Sequence, residues 1–98
     1  MIVNMEAELL FRQKCSPDNG SIVEMVIWKV PSPIVGSLHN YKYRLFYGVR
    51  GERIIGFDNE RGKGDHMHLK GKERPYQFST VDRLVADFYA EIERSAPK

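Results

Sequence analysis

Apolar and polar side chains alternate most regularly between residues 41 and 49. Lys42, Arg44, Phe46 and Gly48 occupy the even positions, and each odd position holds an aromatic or aliphatic residue. Because successive side chains of a β-strand point to opposite faces, this period of two predicts a strand with one buried face. The residues of that face are Tyr41, Tyr43, Leu45, Tyr47 and Val49.

The preceding residues predict a β-hairpin. Residues 7–14 alternate loosely and indicate a first strand, and the turn-forming sequence Ser-Pro-Asp-Asn-Gly follows at 16–20. Residues 21–30 are rich in branched side chains and are apolar on both faces, which is typical of a central strand covered on both sides. Pro31 and Pro33 end this strand, and a loop is expected up to residue 40.

A second hairpin is predicted around Arg50 and Gly51. These two residues would connect the strand over 41–49 to another strand over 52–58, although arginine is not a preferred residue for such a turn. In the register that this turn sets, Tyr43 lies beside Asp58 and Arg44 lies beside Phe57.

A short strand is predicted beyond the next loop. Residues 66–70 place His66 and His68 on one side and Met67 and Leu69 on the other. A charged turn is expected over 71–75, followed by a brief extended segment at 76–78.

The last predicted element is a helix. It begins at Ser79 or Thr80 and ends near Arg94, and Ser79 with Asp82 three residues later fits a capping box. The apolar residues that recur at helical spacing are Val81, Leu84, Val85, Phe88 and Ile92.

These elements predict an α+β fold in a single domain over residues 1–98. The expected architecture is an antiparallel sheet of about five strands in hairpin order, with one C-terminal helix packed on one face. One helix covers only part of such a sheet, so apolar surface is expected to remain for a partner. That partner would be a second copy of the chain, giving a homodimer, or another protein.

Composition agrees with a small globular protein. The chain has 98 residues, of which 42% are hydrophobic and 29% charged, and its one cysteine, Cys15, excludes an internal disulfide. No apolar run is long enough to span a membrane, and no signal sequence is visible at the N-terminus. A cytoplasmic protein with no membrane contact is therefore expected.

Positive charge is concentrated in the middle of the chain. Residues 39–74 carry nine basic and five acidic side chains, whereas each flanking segment carries a slight acidic excess. Lys42 and Arg44 alternate with aromatic residues, a combination on which RNA bases could stack while the cations bind phosphate. Solvated residues on a sheet face are the simpler interpretation.

The densest group of chemically active residues lies between Gly56 and Leu69. A loop that only reverses the chain has no need of so many proton donors and acceptors, so we interpret this segment as a site. Its spacing matches neither a phosphate-binding P-loop nor a calcium-binding loop. Its titratable residues are Asp58, Glu60, Arg61, Lys63, Asp65, His66 and His68, and the predicted structural residues of the loop are Asp58, Asn59, Glu60, Gly62 and Gly64.

Two histidines separated by one residue on a strand project to the same face, about 7 Å apart. They could bind a metal ion together with Asp58 or Asp65. Alternatively, they could act as base and acid across a phosphodiester, or form a hydrogen-bonded brace that only orders the loop. The many nearby cations favour the metal-free option, so no metal and no cofactor are predicted.

For the metal-free option the sheet must bring imidazole and guanidinium groups together in one solvated cationic hollow. The predicted catalytic residues are His66, His68, Lys63, Arg44, Tyr43 and Asp65. The predicted nucleic-acid-binding residues are Lys42, Arg44, Arg61, Lys63 and His39.

Several motifs resemble those of the TumE family of toxin–antitoxin toxins. They are Glu-Met-Val-Ile-Trp-Lys-Val-Pro at 24–31, Gly-Ser-Leu-His at 36–39, Tyr-Lys-Tyr-Arg-Leu at 41–45 and Asp-Asn-Glu-Arg-Gly-Lys-Gly-Asp-His-Met-His at 58–68. The resemblance continues through Pro-Tyr-Gln-Phe at 75–78 and the final helix. Met67 stands where the family pattern tends to have a basic residue, which would weaken RNA binding at that position.

The resemblance implies a small cytoplasmic bacterial toxin, encoded beside an antitoxin with a helix-turn-helix DNA-binding domain. The leading hypothesis is thus a toxin that acts on RNA, as a metal-independent ribonuclease. The alternatives are a non-enzymatic module that binds RNA or the antitoxin, and a metal-dependent hydrolase. The residues that match the family motif are His39, Tyr43, Arg44, Lys63, Asp65, His66 and His68.

Overall fold

A computed structural model describes residues 7–18 and 20–95 of the chain. Those residues form one six-stranded antiparallel sheet, in which each strand pairs with its neighbours in sequence, and one C-terminal helix. The predicted α+β class is confirmed, with one strand more than expected. The strands are β1 (Glu8–Cys15), β2 (Ser21–Lys29), β3 (Tyr41–Val49), β4 (Glu52–Glu60), β5 (Gly64–Leu69) and β6 (Lys72–Pro75), and the helix is α1 (Val81–Ser95).

The additional strand, β6, occupies residues predicted to be a turn. Lys70 and Gly71 both have positive φ, 51° and 84°, so the chain reverses within two residues and Lys72–Pro75 pairs with β5. Pro75 is the last residue of this edge strand, where its missing N–H does not break the ladder. Residues 76–78 belong to no strand, and the Tyr76 N–H donates to the Asp65 carbonyl oxygen at 3.0 Å.

The hairpin between β3 and β4 turns at Arg50 and Gly51, as predicted, with φ values of 49° and 82°. The predicted register is confirmed only next to the turn, where Val49 faces Glu52 and Gly48 faces Arg53. Ile54 is an extra residue in β4, since Gly48 faces Arg53 but Tyr47 faces Ile55.

Beyond this bulge the predicted pairs are wrong by one position. Arg44 faces Asp58, and Leu45 faces Phe57. The bulge therefore places Asp58 beside Arg44 instead of Tyr43, and the separate pairing of β4 with β5 places Asp58 beside His66.

The core lies between the sheet and α1. Leu84 and Phe88 of the helix are fully buried, and the predicted buried face of β3 is confirmed at Tyr43, Leu45 and Tyr47. Thr80 caps the helix instead of Ser79, because its Oγ1 accepts a hydrogen bond from the Arg83 N–H at 3.1 Å. The buried hydrophobic residues are Val23, Met25, Ile27, Tyr43, Leu45, Tyr47, Ile55, Phe57, Leu84 and Phe88.

The other face of the sheet has no second layer among the described residues. Trp28 and Val26 of β2 are half-buried on it and Ile22 is exposed, so the prediction that β2 is covered on both sides is wrong. We call this surface the open face. As expected, apolar surface remains uncovered, and none of the described helices is long and apolar enough to cross a membrane.

The loop between β2 and β3 lies against the turn between β4 and β5. Gly62 N–H donates to the Val35 carbonyl oxygen at 2.7 Å. Gly36 has a φ of 100°, and a Cβ on it would lie 2.7 Å from the backbone nitrogen of Gly64, whose own φ is 77°. Only glycines fit this close backbone approach, which holds the loop beside the predicted site.

Candidate functional site

Two polar clusters lie at the hairpin of β4 and β5, on opposite faces of the sheet. Alternation along β5 explains the separation, because Asp65 and Met67 point to the helix side and His66 and His68 point to the open face. We call the open-face group, formed by Asp58, His66, His68 and Glu73, the histidine centre. The helix-side group, which we call the Asp65 network, consists of Ser37, His39, Tyr43, Asn59 and Asp65.

The histidine centre is assembled across three adjacent strands. In the sheet, Asp58 of β4 faces His66 of β5, and His68 of β5 faces Glu73 of β6. His66 Nε2 lies 2.6 Å from Asp58 Oδ1 and 3.3 Å from Glu73 Oε2, and His68 Nε2 lies 3.8 Å from the same Glu73 oxygen. The two imidazole rings stand edge to face with centroids 5.1 Å apart.

His66 is almost fully enclosed, and only 6% of its side chain is exposed. Its Nδ1 lies 3.0 Å from the Gly64 carbonyl oxygen. Since a carbonyl oxygen only accepts, Nδ1 carries a hydrogen, and the remaining nitrogen, Nε2, faces the two carboxylates. A proton or a cation is required between Nε2 and these oxygens.

Cations lie at the edge of the centre, next to carboxylates. The Arg53 guanidinium lies 3.3 Å from His68 Nδ1, and Lys63 Nζ lies 3.9 Å from Glu73 Oε2 and 3.9 Å from Glu60 Oε1. Burial, followed by the charge of Arg53, lowers the pKa of His68 below its usual value. The hollow is thus lined by carboxylates inside and by cations only at its edge.

Arg44 shares the open face but is not in contact with the histidines. Its guanidinium lies 3.7 Å from Glu24 and 5.6 Å from the centre of the Phe46 ring. Lys42 faces Trp28 on the neighbouring strand, and Lys42, Arg61 and Lys63 are exposed.

The Asp65 network is fully hydrogen-bonded. Asp65 accepts from the Ser37 hydroxyl at 2.5 Å, from His39 Nε2 at 2.6 Å and from the Tyr43 hydroxyl at 2.7 Å. His39 Nδ1 accepts from the Tyr41 N–H at 3.2 Å, so the neutral ring carries its hydrogen on Nε2. Burial, and then the bond to Asp65, raises the pKa of Tyr43.

Asn59 connects this network to β3. Its Oδ1 accepts from the Tyr43 N–H at 3.0 Å, and its Nδ2 donates to the Tyr41 carbonyl oxygen at 2.7 Å and to Ser37 Oγ at 3.3 Å. The network thereby joins the loop before β3 to β4 and β5. Ser37 donates to Asp65 and not to His39, so these residues do not form the serine–histidine pair of an activated nucleophile.

The predicted catalytic and binding residues therefore divide between two faces. His66 and His68 lie together, with Arg44 on the same side, whereas His39, Tyr43 and Asp65 lie across the sheet in the other cluster. Lys63, in the turn between β4 and β5, lines clefts beside both clusters. Asp58 joins the histidine centre, Asn59 joins the Asp65 network, and Glu60 contacts Lys63. The loop glycines, Gly62 and Gly64, have positive φ.

The predicted site residues do not include Glu73, Arg53, Trp28 or Ser37. The sequence predicts a turn at Glu73, and only the pairing of Glu73 with His68 brings it to the centre. The alternating charge of residues 72–74 was a weak signal for that strand.

A cleft of about 320 Å³, lined by Lys63, Asp65, His66, Glu73, Arg74 and Pro75, opens beside the histidine centre.

Comparison with known proteins found one match. The model of a family described as "Toxin TumE" matches residues 4–96 of the chain. No curated protein and no solved structure matches it.

Proposed function

Because the chain belongs to the TumE family of toxins, we propose that it is the toxin of a bacterial toxin–antitoxin system and that it acts in the cytoplasm by cleaving RNA. The observation that carries this proposal is the pair of neighbouring imidazoles at 5.1 Å, with a carboxylate 2.6 Å from one of them. Cleavage of a phosphodiester needs groups that remove a proton from the attacking oxygen and give one to the leaving oxygen.

The open face offers a surface for the RNA strand. Lys42 and Arg44 lie beside Trp28 and Phe46 on two adjacent strands, and both aromatic side chains are half-buried. Guanidinium and ammonium groups bind phosphate, and aromatic rings stack on bases of any sequence. Lys63 at the edge of the cleft would approach the phosphate that lies next to the histidine centre.

Substitution of His68 by alanine is expected to lower the rate of RNA cleavage at least about 100-fold, the usual contribution of a proton-transfer group. The assay incubates purified protein with a labelled RNA and detects fragments and 2′,3′-cyclic phosphate ends. His68 is less enclosed than His66, with 16% of its side chain exposed against 6%, so the variant should keep its fold, which circular dichroism would verify. Lys72→Ala, an exposed substitution on β6, is the control.

Two results would contradict the ribonuclease proposal. One is RNA that stays intact with stoichiometric wild-type protein, and the other is equal cleavage by wild type and His68→Ala. Salt-dependent binding without turnover would instead favour the non-enzymatic module.

The cognate partner in this proposal is an antitoxin with a helix-turn-helix DNA-binding domain. The feature that supports a partner is the exposed apolar surface of β1, where Leu9, Leu10 and Phe11 are each about two-fifths exposed. Leu10 and Phe11 also line an open groove of about 570 Å³ beside Val81 and Val85 of α1. An antitoxin segment that filled this groove would bury these side chains.

Co-expression with the neighbouring reading frame tests this partner. A tagged antitoxin should retain the wild-type chain on an affinity column and lose most of the Leu10→Glu variant. Leu38→Glu is the matched control, because Leu38 is 99% exposed and lies outside the groove. Equal retention of both variants would exclude the groove as the antitoxin site, and self-association of the chain alone would favour a homodimer.

A further inference from the structure

The four side chains of the histidine centre have the composition of a metal site. We propose that Asp58, His66, His68 and Glu73 bind one divalent transition-metal ion, with Zn²⁺ as the best match. Two imidazole nitrogens and two carboxylate oxygens suit zinc and its neighbours, whereas Mg²⁺ and Ca²⁺ prefer oxygen ligands alone.

Three of the ligand side chains lie close enough together for a single ion, and Glu73 lies beside the two histidines. One ligand atom each of Asp58, His66 and His68 lies within 4.8 Å of the other two. Bonds of about 2.1 Å in a tetrahedron place ligand atoms about 3.4 Å apart. The distances from Glu73 Oε2 to His66 Nε2 and His68 Nε2, 3.3 and 3.8 Å, bracket that value, whereas Asp58 Oδ1 lies only 2.6 Å from His66 Nε2 and would have to move away from it as the ion enters.

An unpartnered oxygen marks where the ion would bind. Asp58 Oδ1 is shielded from solvent, and no hydrogen-bond donor of residues 7–18 and 20–95 is directed at it, although His66 Nε2 lies 2.6 Å away. A buried carboxylate oxygen without a donor is costly. An ion bound to both His66 Nε2 and this oxygen would remove the cost.

The surroundings of His66 also prepare it as a ligand. Its Nδ1 hydrogen points to the Gly64 carbonyl oxygen at 3.0 Å, which leaves Nε2 as the nitrogen with the free lone pair. This contact of the second ring nitrogen is the usual way in which proteins orient metal-binding histidines. Gly64 itself is held against Gly36, so the ring orientation is determined by the loop contact.

His68 requires one rearrangement. Its Nδ1 accepts from Arg53 at 3.3 Å, and binding of an ion through Nε2 places a hydrogen on Nδ1 instead. The exposed Arg53 side chain must then move away. Two carboxylates and two neutral imidazoles carry two negative charges, which a divalent ion balances without the help of Arg53 and Lys63.

The sequence favoured a metal-free centre because cations are numerous near residues 66 and 68. The contacts instead place Asp58 and Glu73 closest to His66, with Arg53 and Lys63 at the edge. Metal binding can be measured without RNA, so only its use in cleavage rests on the proposed function. There the ion would act as a Lewis acid at the scissile phosphate, and His66 and His68 would serve as its ligands in place of the proton-transfer role that they have without metal.

Zinc titration of the full chain tests the site. Protein stripped with a chelator and dialysed is titrated with ZnCl₂ against a chromophoric competitor, and the wild type is expected to bind one equivalent. Asp58→Ala and His66→Ala should each lower the affinity more than about 100-fold, which is the upper end of second-shell effects. Glu60→Gln, a nearby exposed carboxylate outside the centre, should match the wild type within about twofold.

Two further measurements identify the ligands. Co²⁺ in place of Zn²⁺ should give the visible absorption of a tetrahedral ion in the wild type and lose it in His66→Ala. Arg53→Ala should bind Zn²⁺ more tightly, because the contact with His68 no longer has to break. Weaker binding by this variant would overturn the assignment of His68.

The metal proposal and the ribonuclease proposal fail separately. Absence of stoichiometric Zn²⁺ on the wild type, or equal affinity of the wild type and Asp58→Ala, overturns the metal site. If the wild type cleaves RNA but binds no Zn²⁺, the metal site is overturned and the ribonuclease proposal stands. Zinc bound by the wild type but not by Asp58→Ala, with RNA intact, would support the metal site and reject the ribonuclease.

Discussion

Replacement of Asp65 by alanine is expected to lower the free energy of unfolding by about 3–5 kcal/mol, since each buried donor left without an acceptor costs about 1–3 kcal/mol. The three donors are the Ser37 hydroxyl, His39 Nε2 and the Tyr43 hydroxyl. Tyr43 is 1% and Ser37 7% exposed, so water cannot replace the carboxylate at either group without a structural change. His39 lines an open pocket and can be partly rehydrated, which keeps the estimate below the sum of three full penalties.

Urea denaturation followed by the fluorescence of Trp28, the only tryptophan, measures this effect. Asp65→Asn should also destabilise the protein, because an amide nitrogen cannot accept hydrogen bonds. Glu93→Ala on the exposed side of α1 serves as the control and should change stability by less than about 0.5 kcal/mol. If Asp65→Ala unfolds at the wild-type urea concentration, the Asp65 network does not stabilise the fold.

Asn59→Ala is expected to cost about 3 kcal/mol, from unpaired backbone groups and from the cavity that the missing amide leaves. The side chain is 0% exposed and takes the place of a neighbouring strand for β3. The last residue pair between β3 and β4 is Arg44 with Asp58. Past this pair, the Tyr43 N–H and the Tyr41 carbonyl oxygen bind the Asn59 side-chain amide. Removal of the amide leaves both backbone groups without these partners.

Amide hydrogen exchange measures the local effect of Asn59→Ala, and the midpoint of urea unfolding measures its effect on the whole protein. The Tyr43 amide should lose protection in Asn59→Ala more than the overall loss of stability explains. Asn40→Ala is the matched control, because Asn40 donates to the carbonyl oxygens of Val30 and Pro31 at 3.2 Å from a partly exposed position. An equal cost for the two alanine substitutions would show that Asn59 has no special role.

Variants in the two clusters should have different effects. Asp65 and Asn59 should affect stability, and His68 should affect RNA cleavage with little change in stability. The clusters nevertheless share β5, where Asp65 and His66 are consecutive and point to opposite faces. A shift of the loop in an Asp65 variant would therefore also move Gly64, whose carbonyl oxygen orients His66.

Local patterns predicted the parts of the fold that depend on neighbours in sequence. The alternation over 41–49 gave β3 its bounds, and the spacing of Leu84 and Phe88 identified the buried side of α1. The Arg50–Gly51 turn was also predicted, despite its unusual first residue. The helix cap differed by one residue, since Ser79 and Thr80 carry equivalent hydroxyls and only the backbone direction selects Thr80.

Contacts between distant residues were harder to predict. Ile54 has no feature that marks it as a bulge, yet it shifts the pairing so that Asp58 faces Arg44 instead of Tyr43. The grouping of His39, Tyr43 and Asp65 with His66 and His68 was natural from the family motif, but alternation along β5 puts them on different sides of the sheet. Glu73 reached the centre only because residues 72–75 pair with β5.

The sequence by itself determined the α+β class, the hairpin order of the strands, the buried side of β3 and the placement of His66 and His68 on one face. Those features follow from the alternation of apolar and polar side chains within one strand or helix. Residues that are close in sequence determine this alternation. Tertiary structure decided which charges meet the histidines. The register of β4 with β5 brings Asp58 to His66 and the added strand brings Glu73, and no pattern within a single segment records the register between strands.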